Sequence, residues 1–312
     1  MKPFFHIPIM VNEVLGFLTP ERGGVFIDGT LGGGGHAKAV LERLPSGSRI
    51  IGIDRDEEAI LEAGQRLSSY ADSFKAIHGN FFNMRHLLAD IGVSSADGIL
   101  LDLGVSSHQL DTAERGFSYH IEAPLDMRMD GSDDLTAYEV VNAYPLEELV
   151  RIFREYGEER FAVRIAGAIV RARAVSPISS TTELAEIIKS AVPAAKRWEG
   201  HHPARRTFQA IRIEVNSELK GLGQALCEAI HLLNKGGRLC VITFHSLEDR
   251  IAKLQFQAFE KPCTCSPRAP ICTCGKKPVV RILTKKPATA NLAEVEANPR
   301  SRSAKLRAIE KL

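Results

Sequence analysis

The sequence predicts an α/β fold: a parallel sheet whose strands alternate with helices, interrupted by a long all-helical insertion. Three observations predict it. Short apolar runs ending in aspartate recur at Asp28, Asp54 and Asp102, and stretches of helical periodicity separate them. The alternation stops after Ser107, and strand character returns only at Arg238. The 312 residues, 44% hydrophobic and 25% charged, have the balance of a globular chain with a sizeable core.

In chain order, Ile9, Val11, Val14, Leu15 and Leu18 predict a helix over residues 6 to 18. Val25 to Asp28 reads as the first strand, followed by four consecutive glycines and His36. Ala37, Val40, Leu41 and Leu44 then mark one helix face. Arg49 to Asp54 is the second strand, and Ile60, Ala63, Gly64 and Leu67 outline the next helix. Phe74 to His78 is a third strand, Met84 to Ile91 a helix, and Gly98 to Asp102 a fourth strand. From about Glu114 to Arg205 only helices and loops are expected. Ser180-x-x-Glu183 forms a capping box, and Pro145 opens a helix through Tyr156. A long helix from roughly Thr207 to Leu233 leads to the fifth strand at Arg238 to Phe244. A helix from His245 to Phe259 and a late strand at Val279 to Leu283 follow. The domain expectation is one discontinuous α/β domain, 1–113 and 206–312, and an inserted helical domain, 114–205.

The net charge of +2 conceals an asymmetry. Residues 261–312 hold 12 Lys and Arg against 3 Asp and Glu, and the other 260 residues hold 28 against 35. A basic tail on an acidic body points to a polyanion held at one end, the stretch 298–307 being suited to phosphate contacts. No apolar run approaches the roughly 20 residues that span a membrane, and the N-terminus has no signal-like segment. A cytoplasmic location is the expectation. Cys227 and Cys240 fall in apolar patterns and read as core thiols. Cys263, Cys265, Cys272 and Cys274 form two C-x-C pairs, which in a reducing compartment suit a metal better than a disulfide framework. Their spacing is tighter than the common zinc pattern, so zinc and free thiols both stay open.

A strand, a glycine turn and a helix present backbone N–H groups to a nucleotide-like ligand. Gly32-x-Gly34-x-x-Ala37 fits the permissive dinucleotide pattern, and Asp54, 20 residues after Gly34, stands where an acid meets ribose hydroxyls. Parallel sheets bind ligands outside the carboxyl ends of their strands, so Asp28, Asp54 and Asp102 are expected to face one crevice. Carboxylates there suit a cationic, amino-bearing ligand and repel a pyrophosphate. S-adenosylmethionine therefore fits better than NAD.

The same residues carry a family resemblance. The chain resembles the bacterial 16S ribosomal RNA (cytosine-N4)-methyltransferases of the MraW type. The matching segments are 6–10 (HIPIM), 28–36 (DGTLGGGGH), 101–111 (LDLGVSSHQLD), 114–118 (ERGFS), 126–129 (DMRM), 206–216 (RTFQAIRIEVN), 243–250 (TFHSLEDR) and the 298–307 tail. They span almost the whole chain in the family's order. His108, where a proline is common, and the cysteine segment depart from it. The resemblance implies a Rossmann-like class I methyltransferase sheet with the inserted helical domain recognising substrate. It implies methylation of the exocyclic N4 of a 16S rRNA cytidine near the P site. It also implies S-adenosylmethionine held by Gly34, Gly35, His36, Asp54, Phe81, Asp102 and Gln109; no metal-site residue is assigned, and the metal content stays open.

Asp102, with the carbonyls of Leu103 to Val105, is the candidate acceptor for the N4 protons, and His245 is the alternative proton relay. The loop after Asp102 lacks an aromatic residue, so base stacking is assigned to Phe117, Tyr119 or Phe244. Arg205, Arg206 and Arg212 with Phe208 form a candidate RNA-contact run. The competing readings are an NAD-linked oxidoreductase on the same glycine turn and a non-catalytic rRNA-binding factor.

Overall fold

The computed structural model describes residues 8–197, 202–266, 271 and 273–312. His6 and Ile7 of the first matching segment, and Cys272, lie outside the described residues. The chain divides into two compact units, one of residues up to Gly104 together with Leu219–Leu312, the other Val105–Glu218.

The first unit is built on a seven-stranded sheet. Its strands are β1 (Val25–Asp28), β2 (Arg49–Asp54), β3 (Phe74–His78), β4 (Ala96–Asp102), β5 (Leu233–Thr243), β6 (Val280–Ile282) and β7 (Lys305–Lys311), in the order β3-β2-β1-β4-β5-β7-β6. The first five strands pair in parallel, and β7 runs antiparallel between β5 and β6. This is the Rossmann-like arrangement the sequence predicts, with one reversed strand near its edge. Alternate residues of each strand enter opposite cores. Ile27, Ile51 and Ile99 pack with Leu226, Ile230 and Phe256 on one face. Phe26, Ile50 and Leu100 pack with Val14, Leu15 and Val40 on the other. Burial on both faces explains why the strands read as continuous apolar runs rather than as alternating ones.

Strands β1 to β4 and β6 lie close to expectation, β5 begins at Leu233 rather than Arg238, and the helices needed adjustment. The first helix is Val11–Leu18, shorter than residues 6–18, because Met10 takes a left-handed conformation (φ 53°) at its start. Gly64 lies on the exposed face of helix Glu57–Arg66 rather than in the apolar stripe. The long helix expected from Thr207 to Leu233 is two helices, Arg205–Val215 and Leu222–Leu232. Between them Ser217 (φ 50°) and Gly221 (φ 97°) take left-handed conformations that no α-helix accommodates. Asn216 fixes the break: its amide donates to the Met127 carbonyl (2.7 Å) and accepts from the Met129 N–H (2.7 Å).

That break moves the domain limits. Phe208, Ala210, Ile211 and Val215 share the second unit's core with Leu149, Ile152, Ile165 and Leu184. The units therefore divide after Gly104 and Glu218, where 113/114 and 205/206 were expected. The second unit is otherwise helical as read, with Ala137–Ala143, Leu146–Glu155, Ala162–Arg173 and Thr181–Ala191 among its helices. Pro145 stands at the N-cap, one residue before its helix. Ser180 accepts from Glu183 N–H (3.2 Å), but Glu183 returns to the Ser179 N–H (2.9 Å), so the expected box is shifted by one residue.

The largest revision concerns the basic tail. Residues 305–311 form β7, which lies inside the sheet. Arg307 is buried and forks onto Asp249 (2.7 and 3.2 Å), which Lys305 also approaches (3.6 Å). Glu310 bridges Arg238 and Arg281 (3.0 and 2.7 Å). Cations read as available to a polyanion are thus partly committed to the fold. Cys240 is fully buried as expected, whereas Cys227 is only half-buried, its thiol 3.6 Å from His231 Nδ1. Among the described residues no helix is long and apolar enough to cross a membrane.

Arg307→Ala removes the fork on Asp249, a partly exposed carboxylate that Lys305 still approaches, and is expected to cost roughly 1.5–3 kcal/mol, the range for hydrogen bonds to a charged group. The control Arg302→Ala, at an exposed position, is expected to leave the denaturation midpoint unchanged.

Candidate active site

The site grows out of the end of β1. The chain leaves Asp28 and passes between its two neighbours, Gly29 N–H donating to Leu100 O and Leu31 N–H to Ile53 O. Side chains complete the attachment. Thr30 Oγ1 accepts from the Asp102 N–H (2.6 Å), and Asp54 Oδ2 accepts from the Gly32 N–H (2.7 Å). The glycine turn is thereby fixed to β4 on one side and β2 on the other.

The glycines are required in part by the protein itself. Gly34 has φ 75°, and a Cβ there would press on Ala63 and Leu67 at 3.1–3.2 Å; at Gly35 a Cβ would meet Pro8 at 3.0 Å. At Gly32 a Cβ would enter open space. The run is therefore not a bare surface along its whole length. The Gly34 N–H donates to Leu31 O (2.9 Å), so what the turn leaves for a ligand is the N–H edge of helix Gly35–Leu41, whose first turn has donors without intrahelical partners.

The three strand-end carboxylates gather as expected, and their electrostatics are unusual. Asp28 is buried, accepts from the Thr30 N–H through Oδ1 (3.2 Å), and has no partner at Oδ2. Burial, with Asp54 adding repulsion, raises its pKa to about 7. Asp102 has a buried, unpartnered Oδ1, and burial followed by repulsion from Asp28 and Glu248 holds its carboxyl well above the usual range. Asp54 is also raised by burial, although its oxygens accept from the Gly32 and Asp56 N–H groups.

His36 does not relieve this. Its Nδ1 is 3.7 Å from Asp102 Oδ2, but Nε2 is 2.8 Å from the Ile9 carbonyl, and burial lowers the imidazole's pKa. The proton is assigned to Nε2 by that hydrogen bond, so Nδ1 turns a lone pair toward Asp102. The contact is not an ion pair at neutral pH. The crevice is a set of closely held carboxylates lacking a compensating cation at Asp28 and Asp102.

Phe81 opens the turn after β3, against Gly29, with its ring edge-on to Phe82 (centroids 4.7 Å apart). Gln109 belongs to the second unit, where it is buried and its Oε1 accepts from the Ser106 N–H (3.1 Å), closing a capping box. His245 caps helix Ser246–Glu260. Its Nδ1 accepts from the Glu248 N–H (3.4 Å), while Glu248 Oε2 accepts from the Phe244 N–H (2.9 Å). His245 thus shapes the loop after β5, and its buried Nε2 lies 3.2 Å from Glu248 Oε1 without hydrogen-bond geometry.

Sequence reasoning missed Thr30 and Glu248. Thr30 was legible as the only hydroxyl between the strand and the glycines. Glu248 was hidden because a capping box with histidine at its head does not match the usual signature. Other assignments were misplaced. Phe208 and Phe117 are core residues, and Arg212 forks onto Glu218 (2.8 Å to each oxygen). Tyr119 is half-buried, stacked on His202 (centroids 4.7 Å apart), and Phe244 is half-buried against Gly104. Arg205 and Arg206 are exposed.

A Rossmann-like sheet with reversed seventh strand, carrying an acidic crevice at the ends of β1, β2 and β4, defines a class I methyltransferase architecture. Within that class, the model of the MraW methylase family matches residues 3–312, and the chain belongs to this family. Among its curated relatives is ribosomal RNA small subunit methyltransferase H of Pelobacter propionicus, 56% identical over 313 residues and covering 100% of both chains. The protein of that name from Symbiobacterium thermophilum is 54% identical, covering 99% of this chain and 97% of the relative. Among solved structures, an rRNA methylase from Streptococcus thermophilus aligns with 97% of this chain and 93% of its own, at 11% identity and TM-score 0.39.

The raised carboxylates fix a sign for the pH dependence. Asp28 titrates near 7 in the folded chain and near 3.8 when exposed, so between those values the folded state binds the extra proton. Stability is expected to fall as pH rises from about 4 to about 7 and to level off above. Asp28→Asn is expected to flatten that slope, read from denaturation midpoints at pH 5 and pH 8. An unchanged slope in the variant excludes Asp28 as a source.

Proposed function

We propose that this chain is an S-adenosylmethionine-dependent methyltransferase of small-subunit ribosomal RNA, acting on the exocyclic N4 of a cytidine near the P site. The observation that carries the reading is the pair of buried, unpartnered carboxylate oxygens, Asp28 Oδ2 and Asp102 Oδ1, beside the glycine turn. Their partner must bring positive charge and N–H donors into a site shaped for a nucleoside. That combination suits a sulfonium- and ammonium-bearing adenosine and disfavours a pyrophosphate-bearing dinucleotide. The names of the curated relatives support small-subunit rRNA as substrate. The cytidine, its N4 and its place near the P site rest on the family resemblance.

On this reading the residues divide the work. Asp54 keeps lone pairs for the ribose hydroxyls, Phe81 packs on the adenine, Gly35 and His36 offer their N–H edge to the carboxylate, and Gly34, its N–H held by Leu31 O, lets the ligand approach the turn. Asp28 and Asp102 face the ammonium, and Gln109 enters as a cofactor residue through the family resemblance alone. S-adenosylmethionine supplies an electrophilic methyl on a positively charged sulfur. The N4 lone pair is delocalised into the base, so the enzyme's contribution is to hold it in line and accept its protons. Such positioning can supply several kcal/mol, up to roughly 7–11 in favourable cases. Asp102 accepts one N–H proton as the nitrogen becomes tetrahedral, with the carbonyls of Leu103 to Val105 as further acceptors. His245 shapes the neighbouring loop, and His36 holds the Asp102 side of the crevice in place. The cytidine has to leave its stack to reach this position, and the second unit is proposed to hold the RNA, with Tyr119 and exposed Arg205 and Arg206 as its contacts. We infer a cytoplasmic location from the proposed substrate.

The test is transfer of radiolabelled methyl from S-adenosylmethionine to small subunits that lack the modification, followed by nucleoside analysis. Label is expected in N4-methylcytidine, and Asp102→Ala is expected to slow transfer by roughly 10²–10⁴-fold, the range for a positioned proton acceptor. Undiminished transfer by the variant removes Asp102 from this role. Label in another nucleoside overturns the N4 assignment, and tight NADH binding without S-adenosylmethionine binding overturns the cofactor. Naked rRNA run in parallel identifies which form is the substrate.

A further inference from the structure

The loop from Lys261 to Pro278 joins helix Ser246–Glu260 to β6, and its base is closed by the protein. Val279 N–H donates to Phe259 O (2.9 Å), and Ile282 N–H donates to Glu260 Oε1 (3.0 Å). Above that base, the described residues carry neither helix nor strand, and Ile271 is 75% exposed.

Its cysteines converge. The thiol sulfurs of Cys263, Cys265 and Cys274 all lie within 4.8 Å of one another, although the first and last are 11 residues apart in sequence. The Cys263 and Cys274 sulfurs are 3.6 Å apart. That is far beyond the roughly 2.05 Å of a disulfide. It is close to the separation of about 3.8 Å between two sulfurs bound at about 2.3 Å to one tetrahedral ion. Lys261, Lys276 and Lys277 lie on the same loop and supply positive charge beside what becomes an anionic thiolate cluster when metallated.

We propose that Cys263, Cys265 and Cys274 form a structural metal site for one soft divalent cation of the zinc class, which pins this basic loop. Clustered thiolates select such ions over magnesium or calcium. The site is separate in sequence from the glycine turn and plays no part in the chemistry assigned to Asp102. Metal binding displaces the thiol protons to solvent and changes no oxidation state.

The test uses the full-length chain, reduced, stripped with a chelator, and titrated with cobalt(II) as a spectroscopic probe and then with zinc. One equivalent is expected to give the sulfur-to-cobalt charge-transfer and tetrahedral ligand-field bands, which zinc abolishes. The double variant Cys263→Ser/Cys274→Ser is expected to lose these bands while keeping the parent's denaturation midpoint in chelator; Cys227→Ser is expected to retain them. Mass-spectrometric footprinting is expected to show Cys263, Cys265 and Cys274 withdrawn from alkylation at least about tenfold by zinc. Bands that survive in the double variant overturn the assignment, as does an absence of stoichiometric binding. Loss of thiols on exposure to air without any metal uptake overturns it in favour of a redox pair.

Discussion

Everything at the centre of the first unit answers to one electrostatic constraint: carboxylates are held close together, out of water, around a turn that has almost no side chains. The charges acting on Asp28 and Asp102 are other carboxylates. A fold tolerates such an arrangement only at a cost, because each buried ionised group is deprived of solvent and repelled by its neighbours. The molecule meets the cost by a raised proton affinity at Asp28, Asp54 and Asp102, and His36, its own pKa lowered by burial, does not offset it. Strain of this kind, located where parallel strands end, is characteristic of a site awaiting a ligand of opposite charge.

The sheet makes the constraint possible. Parallel pairing of β1 with β2 and β4 sets Asp28 opposite Gly52 and Leu100, so Asp54 and Asp102 stand two residues further on along the flanking strands. The chain leaving β1 must then pass between two carboxylates. Thr30 and Gly32 turn that proximity into attachment, one by accepting a backbone N–H and the other by donating one. Packing of Gly34 and Gly35 against Ala63, Leu67 and Pro8 means that substituting them disturbs folding as well as any ligand contact. The near-isosteric change Asp28→Asn alters charge alone and separates the two effects.

What the sequence disclosed and what it hid follow from the range of the forces involved. Strands β1 to β4 were legible because an apolar run closing in Asp is a local pattern, and the crevice followed from the polarity of parallel sheets. β7 was hidden because Lys305, Arg307 and Glu310 look solvated until Asp249, Arg238 and Arg281 are brought to them from elsewhere in the chain. The break at Asn216 was hidden for the same reason, since its partners are the backbones of Met127 and Met129, nearly 90 residues earlier. Phe208 and Arg212 looked like an RNA-facing pair because helical periodicity shows which residues share a face, not whether that face meets water or a core.

On the proposed reading, the acidity of Asp102 is itself part of the chemistry. Its proton affinity is set by what faces it. Asp28 and Glu248 raise it, and a neighbouring cation lowers it. With positive charge in the crevice, Asp102 is ionised and can accept hydrogen bonds from the target amine. Transfer would move the methyl and the sulfonium's charge to N4, and Asp102, given a high proton affinity by its burial, would take up the proton whose departure discharges that nitrogen. An acceptor whose strength follows the charge beside it needs no dedicated base of fixed pKa. This is why His245, whose Nδ1 is already engaged in capping its helix, is the weaker candidate for that role.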